Sequence, residues 1–384
     1  MANILMLSHN EIPDARVEKE SRALIDAGHQ VYLVVPKIRN KIAKESFTKV
    51  YTYSYNFKHY FSGLIVRDAI TFHKEIIKKH NISLIHAHNI ICINLAMKLT
   101  RKNSIKLIFD DHETWSLYLQ LRMKSGLGFR KVIRWILFLR AKRIEKLASR
   151  KSDHLIVTNR KCIDFYMQEY NIQKNNITEI ENIALQQEID EALKSDELLH
   201  DFFKKDKRKK IVHVYRNPPI KNPKQFHRDI LANRNYDRII DAQEKLEDWV
   251  LVLFGKSNPE LEKRGVVFIE YLPRIAYMAN ISKGNVGINP LVVNAKTSIS
   301  SQNRIFEYAK LGVRIISTKT QLLKENFEDK LIWFNPEDDL DKLVSILENI
   351  DKYPTGKELQ EFSKKFSWEE EIKKIILVYE NLLN

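Results

Sequence analysis

Glycine is scarce in this 384-residue chain, which contains only 10 against an average usage of about 7%. A dinucleotide-binding Gly-x-Gly-x-x-Gly motif is absent, because Gly126 and Gly128 are followed by Lys131 where the third glycine is required. A phosphate-binding loop is absent as well, because Gly255-Lys256-Ser257 has Val250 where that loop needs its first glycine. The sequence therefore argues against Rossmann dehydrogenases and P-loop nucleotide hydrolases.

Cysteine and long apolar runs are also scarce. Cys92 and Cys162 stand far apart, which is typical of a reducing compartment and excludes a disulfide framework or a cysteine-rich zinc module. The best candidate for a membrane span, residues 136–139, is flanked by arginines and is far shorter than the roughly 18 apolar residues a span requires. Residues 1–7 lack the basic lead and the cleavage site of a signal peptide and predict a buried strand. We therefore expect a cytoplasmic protein.

Positive charge is concentrated in two short segments. The formal net charge is +15, with 44% hydrophobic and 29% charged residues, the composition of a globular protein. Residues 122–151 contain eleven basic residues and one acidic residue, and residues 204–210 contain six basic residues and one acidic residue. These two segments account for the whole positive excess.

The larger basic segment interleaves its charge with aromatic and aliphatic side chains over residues 129–140. This mixture is typical of a helix that lies on an anionic membrane surface. At about 1 kcal/mol per basic residue near such a surface, four or five contacts would hold a protein there reversibly. A core helix with one solvated basic face is the alternative interpretation. Nucleic acid is a third, but no groove-reading motif accompanies the charge, so we expect no nucleic-acid partner.

Apolar strands and helical patterns alternate along the whole chain, which predicts parallel sheets covered on both faces. The pattern resets after a polar stretch, so we predict a first domain over 1–190, a basic linker over 191–210, a second domain over 211–366 and a terminal helix over 367–384. Two such domains predict a ligand cleft between them at the carboxyl ends of their strands. The predicted strands are 4–7, 31–35, 84–87, 106–109, 154–158, 211–215, 250–254, 266–268, 285–289 and 314–317.

A series of short motifs carries a family resemblance over nearly the whole chain. The motifs are residues 8–29, Ile85-His86-Ala87-His88-Asn89, Asp110-Asp111-His112-Glu113, residues 152–158, residues 180–182, Asn303-Arg304-Ile305-Phe306-Glu307-Tyr308 with Leu311-Gly312-Val313, and Ser367-Trp368-Glu369. In this order and spacing they resemble the GT-B-fold glycosyltransferases, close to the retaining family-four sugar-nucleotide enzymes.

The resemblance implies two Rossmann-like parallel-sheet domains facing across a cleft, with the C-terminal helix returning to the first domain. It implies a hexosyltransferase-type enzyme that moves a sugar from a nucleotide diphosphate to a glycan or lipid-linked acceptor in cell-surface polysaccharide or glycoconjugate biosynthesis. The reaction would proceed with retention and without a metal or other cofactor. A catalytically weak sugar-nucleotide-binding or assembly protein, and a nucleotide-sugar epimerase of the same fold, are the alternatives. The sequence has no readable signature for the sugar, the base, the acceptor or the oligomeric state.

The predicted donor site centres on Glu307. Its helix begins near Asn303, where unpaired backbone N–H groups and the positive helix end suit a diphosphate. The resemblance assigns the ribose hydroxyls of the nucleotide to Glu307, whose two acceptor oxygens fit that role. The family often has a second glutamate eight residues earlier, where this chain has Ile299. The donor residues implied by the resemblance are Ser301, Asn303, Arg304, Glu307, Arg216, Arg234, Tyr271 and Leu272.

The predicted catalytic residues are His112 and Glu113 of the first domain. The resemblance places His112 near the reacting sugar, where an imidazole can donate to a hydroxyl or stabilise developing charge. A structural histidine beside two aspartates is the alternative. The implied acceptor-side residues are His9, Asn10, Arg16 and His88.

No metal site is predicted. We interpret His86 and His88 as facing opposite sides of their strand, and no further ligands stand at metal spacing.

The basic segment belongs to the first domain, where the family binds acceptors. We therefore expect peripheral attachment to the cytoplasmic leaflet through residues 129–151.

Overall fold

The computed structural model describes residues 1–12, 14–39, 46–54, 67–101, 104–124, 129–214, 236–335 and 338–383. Two compact units divide the chain. The first consists of Met1–Asn182 together with Glu369–Asn384, and the second consists of Ile183–Trp368.

The described part of the first unit is a seven-stranded, fully parallel sheet with the order β3-β2-β1-β4-β5-β6-β7. Its strands are β1 (Asn3–Leu7), β2 (Gln30–Val35), β3 (Lys49–Thr52), β4 (Leu84–His88), β5 (Lys106–Asp111), β6 (His154–Val157) and β7 (Ile177–Glu179). Its helices up to the second unit are α1 (Ala15–Asp26), α2 (Arg67–His80), α3 (Asn89–Thr100), α4 (Trp115–Lys124), α5 (Phe129–Lys151) and α6 (Arg160–Tyr170).

The described part of the second unit is a six-stranded parallel sheet with the order β10-β9-β8-β11-β12-β13. Its strands are β8 (Lys209–Val214), β9 (Trp249–Phe254), β10 (Val267–Ile269), β11 (Val286–Asn289), β12 (Arg314–Ser317) and β13 (Ile332–Trp333). Its helices are α7 (Gln186–Lys194), α8 (Asp201–Lys205), α9 (Tyr236–Glu244), α10 (Pro259–Glu262), α11 (Arg274–Ser282), α12 (Ala295–Ile299), α13 (Asn303–Lys310), α14 (Gln321–Phe327), α15 (Leu340–Glu348) and α16 (Gly356–Ser363). The alternation of strands and helices predicted parallel sheets, which is confirmed, and both sheets have a doubly wound strand order.

Strand β9 shows why the sheets form. Val250, Val252 and Phe254 belong to the core cluster on one face of the second sheet. Leu251 and Leu253 belong to the cluster on the other face, because successive side chains of a strand point to opposite sides. Full burial of one such side chain is worth about 1.5–3 kcal/mol, so a continuous apolar run stabilises a strand covered on both faces.

Local signals begin and end the elements that carry candidate residues. Asp14 begins α1 by accepting hydrogen bonds from the backbone N–H groups of Arg16 and Val17. Gly28 follows this helix with a φ of 86°, as expected of a left-handed stop. In the second unit, a Cβ at Gly287 would collide with the Tyr308 ring. This glycine therefore lets α13 lie directly on β11.

The terminal helix α17 (Trp368–Leu383) packs on the first unit, as the fold prediction requires. Tyr379 Oη lies 2.7 Å from His86 Nδ1, and Glu371 Oε2 accepts from the backbone N–H of Glu181 at 2.9 Å. Residues 191–210 do not form the predicted linker. They include the end of α7, helix α8 and the start of β8, and they lie within the second unit.

Helix α5 is buried along one half and exposed along the other. In the C-terminal half, Ala141, Ile144, Glu145 and Ala148 are buried at helical spacing. In the N-terminal half, the apolar stripe of Val132, Trp135, Ile136 and Leu139 is 42–50% exposed. The described helices include none with the length and hydropathy of a membrane span.

Glu145 fixes the buried half of α5. Its side chain accepts hydrogen bonds from the backbone N–H of Ser116 and from the hydroxyl of Tyr170, both at 2.8 Å. It is fully buried. Burial, followed by the negative charge of Asp111, raises the pKa of Glu145 to about 8. The folded chain therefore holds this carboxyl protonated near neutral pH, which joins α4, α5 and α6 without burying a charge.

We expect the contribution of Glu145 to stability to fall as pH rises from the ordinary glutamate pKa of 4.5 to about 8. In this window the unfolded chain loses the Glu145 proton and the folded chain keeps it, so this group makes folding bind a proton and favours folding less as pH rises. Glu145→Gln resembles the protonated side chain and should remove this contribution, so the slope of the unfolding free energy against pH, measured in urea between pH 5 and 8, should be more positive than in the wild type. The exposed Glu75→Gln is the control. A slope that is the same in all three proteins would contradict the assignment.

Candidate functional site

Asp110 is the centre of a buried polar cluster at the carboxyl ends of β4 and β5. Its Oδ2 lies 2.8 Å from His112 Nε2 and 3.2 Å from His88 Nδ1, and its Oδ1 accepts from Arg16 Nη2 at 3.0 Å. The side chain is 0% exposed. Burial alone would raise the pKa of Asp110, but the charges of Arg16 and His112 outweigh it and hold this pKa well below the ordinary value. The cluster therefore contains a permanent carboxylate.

Arg16 supplies the matching positive charge. Its Nε lies 2.9 Å from Glu20 Oε1, and its Nη1 donates to the carbonyl of Ile180 at 2.8 Å. Burial raises the pKa of Glu20, and the attraction of Arg16 offsets this only in part. Arg16 is 3% exposed, so it contacts the cluster from the interior of the first unit.

His86 and His88 lie on the same side of β4, and the prediction that they face opposite sides was wrong. Residues two apart in a strand share a face. Their rings stack with centroids 4.2 Å apart. His88 is opposite Asp110 in the register of β4 and β5. Burial lowers the pKa of His88 to about 3, so its imidazole is neutral.

The geometry of the cluster resembles that of a metal site. Glu20, His86, His88 and Asp110 each offer one ligand atom, and these four atoms lie within 4.8 Å of one another. However, the Arg16 guanidinium contacts both carboxylates of the set. A cation bound there would face that fixed positive charge at close range. The positive charge that balances Asp110 and Glu20 is therefore supplied by the Arg16 guanidinium.

His112 lies at the upper edge of this cluster, directly after β5. Its backbone N–H donates to Asn89 Oδ1 at 3.1 Å, and its side chain is 14% exposed. Burial favours the neutral imidazole, but the charge of Asp110 prevails and raises the pKa of His112 above 6.5. Asn89 has a φ of 65°, a left-handed conformation uncommon outside glycine. This turn sets the Asn89 amide against the loop that carries His112.

His9, Asn10 and Glu113 lie nearer the surface. Burial, and then the charge of His112, lower the pKa of His9 to about 4, so the His9 imidazole is neutral at pH 7. Asn10 is exposed and donates to Asp14 Oδ2 at 3.0 Å. Glu113 is exposed. The predicted acceptor-side residues therefore divide into two groups: His9 and Asn10 at the edge, Arg16 and His88 in the interior.

In the second unit, Glu307 is held by two side chains of α11. Arg274 Nη1 donates to Glu307 Oε1 at 3.1 Å, and the Tyr277 hydroxyl lies 3.5 Å from Oε2. Glu307 is 9% exposed. Gln302, the residue before α13, makes no side-chain hydrogen bond that caps the helix. An acceptor carboxylate and a helix start left uncapped by Gln302 therefore lie within two turns of each other.

Arg304, in the first turn of α13, contacts a buried histidine. His213 Nδ1 lies 2.7 Å from the carbonyl of Ile288, and Arg304 Nη1 lies 3.0 Å from His213 Nε2. Since a backbone carbonyl only accepts, Nδ1 carries the proton and Nε2 is the acceptor for Arg304. His213 thereby orients the guanidinium at the helix start.

The remaining donor-site predictions differ in what the structure describes. Tyr271 is 84% exposed, and Leu272 is half-buried in the loop that leads into α11. Ser301 is half-buried and Asn303 is exposed at the start of α13. Arg216 and Arg234 lie outside the described residues.

Comparisons with known proteins agree with this architecture. Residues 16–183 match the model of Glycosyltransferase Family 4. Sucrose-phosphate synthase from Thermosynechococcus elongatus is similar, with 15% identity, a TM-score of 0.70, and 100% of this chain and 99% of that chain covered. Anabaena HepE in complex with UDP and glucose has 13% identity and a TM-score of 0.68, over 99% and 100% of the two chains. The fold is that of the GT-B glycosyltransferases.

A third GT-B neighbour differs in chemistry. It is a putative UDP-N-acetylglucosamine 2-epimerase from Listeria monocytogenes, with 14% identity, a TM-score of 0.61, and 98% of this chain and 95% of that chain covered. No curated protein sequence matches the chain significantly. The match to the family model ends at residue 183, next to the boundary at Asn182 between the two units.

Sequence reasoning missed the residues that hold the named side chains in place. In the first GT-B unit these are Asp110, Asn89 and Glu20; in the second they are Arg274, Tyr277, Glu188 and His213. Asp110 and Asn89 lie inside two of the motifs that carry the family resemblance. The neighbouring motif residues could therefore have indicated that these two side chains belong to the site. Arg274 comes two residues after Leu272, one of the predicted donor residues, but nothing in its spacing indicates a partner more than thirty residues away.

We expect Asp110→Asn to lower the free energy of unfolding by about 3 kcal/mol or more, because Arg16 loses its buried counter-charge. The pKa of Asp110 is depressed, so its contribution is present above the ordinary value of 3.8 and is lost as pH falls through the folded value. Urea unfolding at pH 7 measures the loss, and acidification should narrow the difference from the wild type.

The exposed Asp26→Asn in the same unit is the matched control. If Asp110→Asn were as stable as this control, Asp110 would not be the centre of the cluster.

Proposed function

We propose that this chain is a hexosyltransferase-type glycosyltransferase that moves a sugar from a nucleoside diphosphate to a glycan or lipid-linked acceptor. In this proposal the anomeric configuration is retained, no metal is needed, and the product belongs to a cell-surface polysaccharide or glycoconjugate. The observation that carries the proposal is Glu307, a nearly buried carboxylate held by Arg274 beside the start of α13, which Gln302 leaves uncapped, in a GT-B second unit.

The residues of the second unit suit the donor. Glu307 offers acceptor oxygens for ribose hydroxyls. The N-terminus of α13 and Arg304 offer positive charge for the diphosphate. The HepE structure, which holds UDP and glucose, supports a uridine nucleotide as the first donor to try.

The proposed transfer step balances without a further reagent. The bond between the anomeric carbon and the phosphate oxygen breaks, and the diphosphate leaves with the electron pair. The acceptor hydroxyl attacks the same carbon from the same face, and its proton passes to the leaving phosphate oxygen. Arg304 and the helix start stabilise the charge that develops on the diphosphate. His112, with its raised pKa, donates a hydrogen bond to the sugar.

An epimerase is the second candidate, because one GT-B neighbour is a putative UDP-N-acetylglucosamine 2-epimerase. A sugar-nucleotide-binding or assembly protein is the third. Incubation with a panel of nucleotide sugars distinguishes them. A transferase releases nucleotide faster when an acceptor is added, an epimerase releases free sugar or its epimer regardless of acceptor, and a binding protein releases neither. Complete loss of transfer in EDTA would contradict the metal-free mechanism.

Glu307→Gln should reduce kcat/KM for the donor by about ten-fold or more, because a hydrogen bond to a charged group is worth about 1.5–3 kcal/mol. Circular dichroism should show an intact fold. Glu260→Gln, at an exposed glutamate of the same unit, is the control. Unchanged donor kinetics in a folded Glu307→Gln protein would remove Glu307 from the site.

Peripheral membrane attachment is the second part of the proposal. The stripe of Val132, Trp135, Ile136 and Leu139 is an apolar surface on α5 that is 42–50% exposed. Exposed Lys131, Arg140 and Arg143 lie on the same helix. A helix that exposes aromatic and aliphatic side chains among basic ones is suited to an anionic lipid surface. This favours membrane docking over the core-helix interpretation and supports attachment to the inner face of the cytoplasmic membrane.

Vesicle co-sedimentation tests the attachment. We expect binding to phosphatidylglycerol-containing vesicles at low salt, weaker binding at high salt, and little binding to pure phosphatidylcholine. Replacing Lys131, Arg140 and Arg143 with Glu should abolish binding. Replacing Lys204, Lys205 and Lys207 with Glu makes the same charge change in the other basic segment and should have little effect. Equal losses in both variants would show that net charge alone, and not this helix, binds lipid.

A further inference from the structure

Arg274 bridges two carboxylates in the second unit. Its Nε donates to Glu188 Oε2 at 2.8 Å and its Nη1 donates to Glu307 Oε1 at 3.1 Å. Glu188 belongs to α7, which packs against α11, the helix that Arg274 begins. The guanidinium is therefore attached to one rigid helix pair and holds a carboxylate on another helix.

The bridge leaves Glu307 able to accept further hydrogen bonds. A carboxylate has about four lone-pair sites on its two oxygens. Arg274 uses one on Oε1, and the Tyr277 hydroxyl lies at hydrogen-bonding range of Oε2. Among the described residues, these contacts leave two sites for two neighbouring hydroxyls of a ligand. Because Arg274 holds Glu307 in one orientation, the carboxylate does not have to be ordered at the moment of binding.

The charges also favour hydroxyl donors. Arg274 is one cation between Glu188 and Glu307, so the triad carries an excess negative charge. Glu307 and Glu188 have side chains only 11% and 22% exposed, and Arg274 is 32% exposed. A partly buried, negatively charged acceptor discriminates strongly between a ligand that offers an O–H and one that lacks it, because the carboxylate is otherwise left unpaired.

We propose that Arg274, fixed by Glu188, is the positioning residue that sets Glu307 to recognise the 2′- and 3′-hydroxyls of a nucleoside diphosphate, and so makes the site selective for ribonucleotides over 2′-deoxyribonucleotides. This rests on the proposed function, which assigns the nucleotide ribose to Glu307. Arg274 itself need not touch the nucleotide. Its effect is to orient the acceptor.

The test compares binding of UDP with 2′-deoxy-UDP, and of GDP with 2′-deoxy-GDP, by calorimetry. The wild type should bind the better ribonucleotide at least about ten-fold more tightly than its deoxy analogue. Glu307→Gln should bring this ratio close to one. Arg274→Met, which keeps an unbranched apolar stem and removes the guanidinium and with it the bridge, should reduce the ratio at least five-fold. Glu188→Gln and Arg274→Lys should give intermediate ratios, and they serve if Arg274→Met does not fold.

Arg264→Met is a matched control, because Arg264 also bridges two carboxylates of the second unit, Asp241 and Glu244, each at 2.7 Å. It should leave the ratio unchanged. A purely structural role for Arg274 would weaken both ligands equally and leave the ratio at the wild-type value, which would overturn the inference. Tighter ribonucleotide binding by Arg274→Met would also overturn it, since Arg274 would then block Glu307. If the wild type binds neither ribonucleotide, the proposed function fails together with the inference.

Discussion

The buried ion pair of Arg16 and Asp110 is the interaction on which the candidate site of the first unit depends. It joins the first turn of α1 to the end of β5, and Arg16 also donates to the carbonyl of Ile180 after β7. A buried charge pair costs desolvation and is weak evidence for stability by itself. Here it performs a second task, because the other oxygen of the same carboxylate, Asp110 Oδ2, lies 2.8 Å from His112 Nε2 and so fixes the orientation of the imidazole.

Each candidate site holds a carboxylate with neighbouring positive charges, but the two sites differ in burial and in the ratio of the charges. Around Asp110, Arg16 and His112 bring positive charge to a fully buried carboxylate, and His88 remains neutral. Around Glu307 the charges are less buried, and one guanidinium serves two carboxylates. The first arrangement is suited to holding the His112 side chain in a fixed orientation. The second leaves acceptor capacity available, which suits a group that binds a polyhydroxylated ligand directly.

The sequence predicted most of the architecture, because both sheets are parallel and fully covered. Such strands are continuous apolar runs, and β1, β2, β9 and β12 were visible as runs of that kind. Strand β3 and strand β7 lie at the two edges of the first sheet and are only partly buried, so their sequences lack a strong apolar signal. The predicted linker failed for a related reason: residues 191–210 are polar on average, yet Ala192 is buried and Phe202 packs on the core of the second unit.

The candidate site was predictable only in its motif residues. His112 and Glu307 lie in short sequence motifs that carry the family resemblance. The side chains that hold the two sites together come from distant positions in the chain. Arg16 reaches Asp110 across 94 residues, and Arg274 reaches Glu307 across 33. Long-range pairs of this kind follow from the fold and leave no local periodicity. His86 and His88 differ from these pairs, because successive side chains of a strand alternate between its two faces. Two residues separated by two positions therefore lie on the same face, and the sequence prediction for this pair was wrong.

Helix α5 connects the membrane proposal to the site chemistry within a single unit. At its C-terminal half, Glu145 accepts from the backbone of Ser116, and Thr114 donates to Asp111 in the loop that also carries His112. At its N-terminal half, the apolar stripe is exposed. A 23-residue helix with a rise of about 1.5 Å per residue spans roughly 35 Å. The proposed lipid-facing surface and the residue that contacts the histidine loop therefore belong to one continuous helix. A helix buried along its whole length would lack this surface, and one exposed along its whole length would not fix the loop.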